Sequence, residues 1–408
     1  NFNLSVIVDD EWMKNPDPEV WDLIVEGNWK NGEPGILFKD ARERDNKRKE
    51  LGELSETNPC LHEDTLIFTY AGIERISDAK STAIWNGEKY SSCTKLWNNG
   101  VKDVVKVLTQ SGFEYIVTPE HKFMLEDGSW CEARLLCGKK INFNSNEVTS
   151  WSGRTPYGNC NYEILGFEFG DGTYHKASGR MKYIYFTPEK DAEVIDIISR
   201  EFESSPEFDE SGNKLNIKIP NNTIYASAFI GTIPERMIPD WILRLPKEEM
   251  RLFIRGLFSA NGCNLKKYNK IQLVSSNRDM LKQMQMMLLA FGIKAKLWYH
   301  NEESVTTFWN GDYTCKKSWH LVLSCESYIK YLDDIGFIQS YKNGYRRKRK
   351  AKKEYQYEKV IDVSPCGKAE VWDFNEPDNH YASIGAIVHN CGETALFPWE
   401  SCNLASIN

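Results

Sequence analysis

Two segments, "ILGFEFGDG" at 164–172 and "IRGLFSANG" at 254–262, carry glycines at matching places 90 residues apart. Each is followed by a strand-like run, "KYIYF" (182–186) and "KIQLV" (270–274). A helical pattern comes next in both. In the first copy Thr187 stands as N-cap, Pro188 takes the first helical position, and Val194, Ile197, Ile198 and Phe202 form the apolar face. In the second, Ser276 caps "MLKQMQMMLLAF", which ends at Gly292. The middle of the chain is therefore a doubled unit.

Its flanks differ in texture. Residues 60–145 are short alternating runs such as "TLIFTYAGIERI", "VKDVVKVLTQ" and "FEYIVTPEHKFML", broken by Gly and Asn, an all-β signature. The same texture resumes after the basic run "YRRKRKAKK" (345–353) with "KVIDVS" and "AEVWDF". Residues 1–59 read as strand and then helix, and the last 18 residues change style again.

At 408 residues, two or three domains are expected. The 11 cysteines include no CxxC pair, which argues against a zinc site and for reduced thiols in a cytoplasmic setting. No signal peptide and no membrane span are read. The net charge of −7 is uneven: residues 151–350 carry 29 Lys+Arg against 23 Asp+Glu, and the remainder 22 against 35. A basic middle between acidic flanks points to a polyanion partner for the middle only.

Chemistry concentrates at two junctions. In "AIVHNCGE" an imidazole, a carboxamide and a thiol are consecutive: His389, Asn390 and Cys391. An Asn amide can attack its own carbonyl and release the chain beyond it, and a neighbouring His can manage the proton. The thiol after it can hold an acyl group as a thioester. In "TNPCLHEDT", Cys60 can attack the Pro59 carbonyl, provided that fixed donors stabilise the intermediate. Thr118 and His121 in "TPEH" offer a hydroxyl and an imidazole, and Asp373 and His380 a further acid and base.

These blocks resemble an intein. "CLHEDTLIFTYAGIERI" resembles the N-terminal splicing block, "GFEYIVTPEHKFML" the TxxH block, and "VWDFNEPDNHYASIGAIVHNC" the two C-terminal blocks. The resemblance implies a mainly β, horseshoe-like splicing (Hint) fold over 60–150 and 351–390. Its working residues would be Cys60, Thr118, His121, Asp373, His380, His389, Asn390 and Cys391.

Residues 151–350 resemble a LAGLIDADG homing endonuclease, which implies an α/β insert of two αββαββα pseudo-repeats. Each motif helix of that family delivers an acid, just before the final Gly, to Mg²⁺ at a scissile phosphate of double-stranded DNA. Asp171 fills that place in the first copy, but Asn261 stands there in the second, so cleavage is expected to be impaired.

Joining 1–59 to 391–408 gives "NPCGE" near "ESCNLASIN", which resembles the large subunit of ribonucleotide reductase. The resemblance implies that Asn58, Cys391 and Glu393 form the host's active-site loop after splicing, with adenosylcobalamin the favoured host cofactor. Excision of 60–390 would need no cofactor. The alternative reading is a non-splicing precursor whose insert is an active site-specific DNA endonuclease. Pro59 fixes its own φ and crowds the attacked carbonyl, which predicts slow splicing.

Overall fold

The computed structural model describes residues 5–31, 35–38, 40, 60–80, 83–93, 96–158, 160–209, 212, 214–232, 234–302, 304–308, 311–315, 317–344, 355–374 and 380–389. Among them, no helix is long and apolar enough to cross a membrane. The basic run at 345–353 lies outside this set.

The first part is small. Strand Ser5–Val8 pairs in parallel with Gly35–Phe38, and helices Asp10–Lys14 and Pro18–Asn31 lie between them in sequence. Asp9 caps the first helix, its carboxylate accepting from the Trp12 amide at 2.7 Å.

From residue 60 the chain is mainly antiparallel β. One sheet runs in the order Lys140–Asn142, Tyr357–Phe374, Leu61–His62, Glu114–Val117 and Leu96–Thr109. A second includes Trp130–Glu132, Lys122–Met124, Ala386–His389, His380–Ser383 and Leu66–Thr69. Strands from before and after the insert are interleaved in both. The pairing of Tyr357–Phe374 with Leu96–Thr109 spans nearly their whole length. Alternation explains part of this: Val105, Val107 and Thr109 are buried while Lys106 and Leu108 are half-buried.

The two-residue turn joining His380–Ser383 to Ala386–His389 has φ +46° at Ile384 and +82° at Gly385. A two-residue hairpin favours positive φ at both positions, and a β-branched residue bears it with strain. The Tyr115 hydroxyl donates to the Ile384 carbonyl at 3.1 Å, and a Cβ at Gly385 would run into the Phe143 ring.

The insert is a doubled α/β unit. Helices Tyr162–Asp171 and Lys247–Asn261 pack against each other through glycine. A Cβ at Gly166 would overlap the Phe253 carbonyl, and one at Gly256 the Glu163 carbonyl. Those contacts are each other's image, offset by 90 positions on both helices. Each helix runs into a four-stranded sheet of identical topology. The first has the order Gly172–His175, Arg180–Phe186, Leu215–Lys218, Glu207–Phe208. The second has Gly262–Leu265, Lys270–Ser275, Ser318–Leu323, Lys296–Asn301.

Two helix starts differ from the sequence expectation. The helix expected from Pro188 is Ala192–Phe202. The Thr187 carbonyl instead accepts from the amides of Lys190 and Asp191 in a turn, and Asp191 returns its carboxylate to the Thr187 amide at 2.8 Å. In the second copy Asn277, rather than Ser276, caps helix Arg278–Ala290, accepting from the Met280 amide at 3.0 Å.

The insert and the β part share one continuous buried apolar cluster. Main-chain bonds cross between them, from Val148 N to Ala290 O at 3.0 Å and from Leu297 N to Ser111 O at 2.9 Å. A buried ion pair, Lys294 Nζ to Glu358 Oε1 at 2.7 Å, joins the insert to the long strand Tyr357–Phe374.

Candidate active site

Cys60 is fully buried and leads directly into Leu61–His62, which is flanked by Glu114–Val117 and by the end of Tyr357–Phe374. Leu61 pairs with Val117 on one side and Trp372 on the other. This register brings Thr118 and Asp373, one residue beyond each partner, to Cys60.

Thr118 holds the Cys60 backbone from both sides. The Cys60 amide donates to the Thr118 hydroxyl at 3.1 Å, and the Thr118 amide donates to the Cys60 carbonyl at 3.1 Å. The Thr118 hydroxyl also hydrogen-bonds the Glu120 carboxyl, which burial pushes above the usual carboxylate range. Backbone Thr118 O accepts from His121 N at 3.0 Å, closing a tight turn.

The His121 ring is completely buried, and neither nitrogen has a hydrogen-bond partner among the described residues. Burial, reinforced by the charge of His389, lowers its pKa to about 3. It is therefore neutral at ordinary pH.

His389 ends the strand Ala386–His389 and sits directly opposite His380. The Trp130 ring stands edge-on to His389 with centroids 5.1 Å apart. Asp373 is buried and accepts from the adjoining Phe374 amide at 2.8 Å.

The Cys60 sulfur meets two donors. Asn99 Nδ2 lies 3.0 Å away and Lys102 Nζ 3.8 Å away. Burial pushes the thiol far above its usual pKa, and the Asp373 charge adds to this. Lys102 and the Asn99 hydrogen bond oppose them, while Glu120 adds a smaller upward push.

The structure thus brings together Cys60, Thr118, His121 and Asp373, with His389 close enough to act on His121 and His380 opposite it. Asn390, Cys391, Asn58 and Glu393 lie outside the described residues, as does Pro59. Sequence reasoning missed Asn99, Lys102, Glu120 and Trp130. Glu120 lies inside the quoted "TPEH", where nothing in the local pattern marks it.

The second candidate site lies at the ends of the paired helices. Asp171 is the last residue of its helix and Asn261 the last of the other. Burial and the neighbouring Asp191 raise Asp171 to about 6, while Lys342 opposes the shift. A cavity of about 750 Å³ beside it is lined by Asp171, Asp191, Thr187, Lys214, Tyr185 and Arg236. Arg236, itself buried, donates to the Gly172 carbonyl at 3.1 Å and to the Phe169 carbonyl, satisfying the end of the first motif helix. Among the described residues no group of three or more His, Cys, Asp or Glu could hold a metal ion.

The LAGLIDADG-like domain family matches residues 248–336, which cover the second copy of the doubled unit. This second copy is LAGLIDADG-like. The first copy carries the same helix-and-sheet plan by internal repetition.

Over 96% of its length the chain is 25% identical to the ribonucleoside-diphosphate reductase large subunit of Invertebrate iridescent virus 6, covering 42% of that protein. It spans about two fifths of the length of the curated reductases it matches, 42% and 38%. It is also 25% identical to a tRNA-splicing ligase of Pyrococcus abyssi, over 56% of this chain and 31% of that protein. Among solved structures, a DnaB intein from Synechocystis sp. PCC 6803 aligns with 81% of this chain and 98% of its own, at 8% identity and a TM-score of 0.25. The findings fit a LAGLIDADG-like domain carried within a chain that is similar to ribonucleotide reductase large subunits.

Proposed function

We propose that the chain splices itself, excising 60–390 and joining Pro59 to Cys391 to restore the Asn-Pro-Cys-Gly-Glu loop of a ribonucleotide reductase. One observation carries the reading: the Cys60 amide nitrogen, which must leave Pro59, is held by Thr118, while Phe123, two residues beyond His121, pairs with Val388, next to His389. Residues of both junctions thereby meet around one buried turn. Similarity to reductases over nearly the whole chain, and to an unrelated ligase over part of it, supports a mobile insert within a host.

Cys60 Sγ attacks the Pro59 carbonyl and the C–N bond breaks. The thiol proton goes to a nearby carboxylate, and the freed amine takes a proton through the Thr118 hydroxyl. Neutral His121 can donate or accept beside the same amide. Cys391 then attacks the thioester and Cys60 departs as the thiol. Asn390 cyclises with His389 and His380 handling protons, which cuts the Asn390–Cys391 bond. A final sulfur-to-nitrogen shift leaves a peptide bond. Bonds are exchanged throughout, so no cofactor or energy source enters.

The inserted domain is read as binding double-stranded DNA through its sheets, which the positive balance of 151–350 supports. Asp171 is the residue that would hold Mg²⁺. Two-metal hydrolysis needs a carboxylate from each helix end, and Asn261 supplies an uncharged amide. The donor set does not fit a metal pair, and no cleavage step is assigned.

Intact-mass measurement after expression tests the main reading. The expected result is a ligated product lacking 60–390 together with the free excised segment. A Cys60→Ala/Asn390→Ala chain should stay at full length. A parent chain that also stays at full length would leave the rival reading, an unspliced precursor.

A further inference from the structure

We infer that Asn99 and Lys102 are catalytic residues that hold negative charge on the Cys60 sulfur, both when it attacks and when it leaves. The assignment rests on the splicing reading.

The sulfur is buried in a small apolar cluster with Val104 and Val371. A thiolate is the competent nucleophile, yet burial and the carboxylates of Asp373 and Glu120 all disfavour it here. Against these stand the Asn99 amide at 3.0 Å and the Lys102 ammonium at 3.8 Å, both on the strand Leu96–Thr109. Donors fixed around a developing charge in a water-poor site act more strongly than in water.

The backbone explains how two residues three apart reach one atom. On a regular strand, positions 99 and 102 point to opposite faces. Here the register against Tyr357–Phe374 shifts between Glu370 and Trp372, opposite residues 98–101, and Gly100 adopts φ +77°. A bulge of this kind re-aims a side chain. Glycine is suited to the positive φ. The irregularity puts Asn99 and Lys102 on the same sulfur.

The chemistry balances without an added reagent. In the first step sulfur bonds to the Pro59 carbonyl carbon, its proton passes to a carboxylate, the C–N bond breaks and the amine is protonated. In the second, the Cys391–carbon bond forms, the Cys60–carbon bond breaks, and the electron pair returns to Cys60. The same two donors face the sulfur in both.

The test uses the full chain with Asn390→Ala and Cys391→Ala, which isolates thioester formation at Cys60. Cleavage by dithiothreitol is followed by mass as a function of pH. With Lys102→Met added, the rate at neutral pH should fall about tenfold and the pH–rate profile should move about one unit upward. Lys102→Arg should restore most of both. Asn99→Ala should slow cleavage in the same direction. A Lys102→Met chain with the parental profile beside a cleaving parent overturns this assignment alone. A parent that does not cleave at any pH overturns the splicing reading and this assignment with it.

Discussion

Around Cys60, the groups that touch the sulfur and its amide come from separate β segments and meet at a buried thiol. At the ends of Tyr162–Asp171 and Lys247–Asn261, two halves related by internal repetition meet beside an open cavity, and one offers a carboxylate where the other offers an amide. Of the residues its proposed chemistry needs, the first site holds Cys60, Thr118, His121, Asp373, His380 and His389 among the described residues, and Asn390 and Cys391 lie outside them. The second keeps the scaffold of a paired-carboxylate site without the pair. Glycine-mediated helix packing is intact on both sides of the repeat, including Gly166 and Gly256. An amide at the second tip is therefore compatible with the fold, because the packing depends on main-chain approach and not on the charge at the tip.

The sharpest way to break this contrast is to repair the weaker site. If the insert acts on DNA as proposed, Asn261→Asp, tested with Mg²⁺ on DNA carrying the joined host sequence, should raise the cutting rate about a hundredfold above the parent, because a second carboxylate can then hold a metal. The parent should produce no efficient double-strand break. Efficient cutting by the parent would remove the asymmetry from the functional account. Asp171→Asn in the repaired chain should abolish the gain.

The contrast also assumes that the two regions fold as one body. Lys294 and Glu358 are nearly fully buried and lie on opposite sides of the boundary. Lys294 Nζ also donates to the carbonyls of Tyr355 and Tyr357 at 3.2 and 3.3 Å. Lys294→Met strands the Glu358 charge and should cost roughly 3–5 kcal/mol in a denaturant melt of the non-splicing Cys60→Ala/Asn390→Ala chain. A single transition moved to lower denaturant is expected. Two separate transitions, with only the insert affected, would show that the regions unfold independently.

The two sites respond to acid with opposite signs. His121 is a base whose folded pKa, about 3, lies below its unfolded value of about 6.5. The unfolded chain binds its proton first, so the stability it contributes is present above pH 6.5 and declines as pH falls toward 3. Asp171 is an acid raised from 3.8 to about 6. The folded chain binds that proton first, so the unfavourable contribution it makes above pH 6 is relieved between 6 and 3.8. In the same non-splicing chain, His121→Gln should flatten the loss of stability between pH 6.5 and 4.5. Asp171→Asn should steepen it. The difference between each variant and the parent isolates the group from other carboxyls.

Much of this was legible in the residues because it was written in local spacing. Alternation marked the β segments, and the matching glycines marked the doubled unit before any strand order was known. The side chains proposed to act at 60, 118, 121, 373 and 389 could be picked out in the sequence because each chemistry needs a particular residue type. What stayed hidden depends on pairing. Asn99 and Lys102 have the wrong spacing for a common face, and only the register shift opposite them brings both to sulfur. The helices starting at Ala192 and Arg278 begin four residues and one residue later than expected, because Thr187 and Ser276 are good caps locally. A local bond from the Thr187 amide to Asp191 and a tertiary one, Gln339 Nε2 donating to Asp191 Oδ1 at 2.9 Å, hold the turn instead. Glu120 was passed over because its significance comes from burial and from Thr118, neither of which a short motif reveals.

Pro59 gives the smallest expected effect and refines the comparison from the chemical side. If the Cys60 pocket is fully equipped, its remaining limit lies in the residue it acts on. The proline ring fixes φ and crowds its own carbonyl, the carbon that Cys60 and then Cys391 must reach. Pro59→Ala relieves that crowding without touching Asn99, Lys102, Thr118 or His121. Thioester formation should quicken by about threefold, a difference of less than 1.36 kcal/mol in barrier, read as dithiothreitol cleavage in the Asn390→Ala/Cys391→Ala chain. Asn390 cyclisation, measured separately in a Cys60→Ala chain, should keep its rate because it involves a different carbonyl. An unchanged cleavage rate would mean that proline is not the limit and that the barrier lies within the pocket. Equal acceleration of both reactions would instead point to a general loosening of the fold around the junctions.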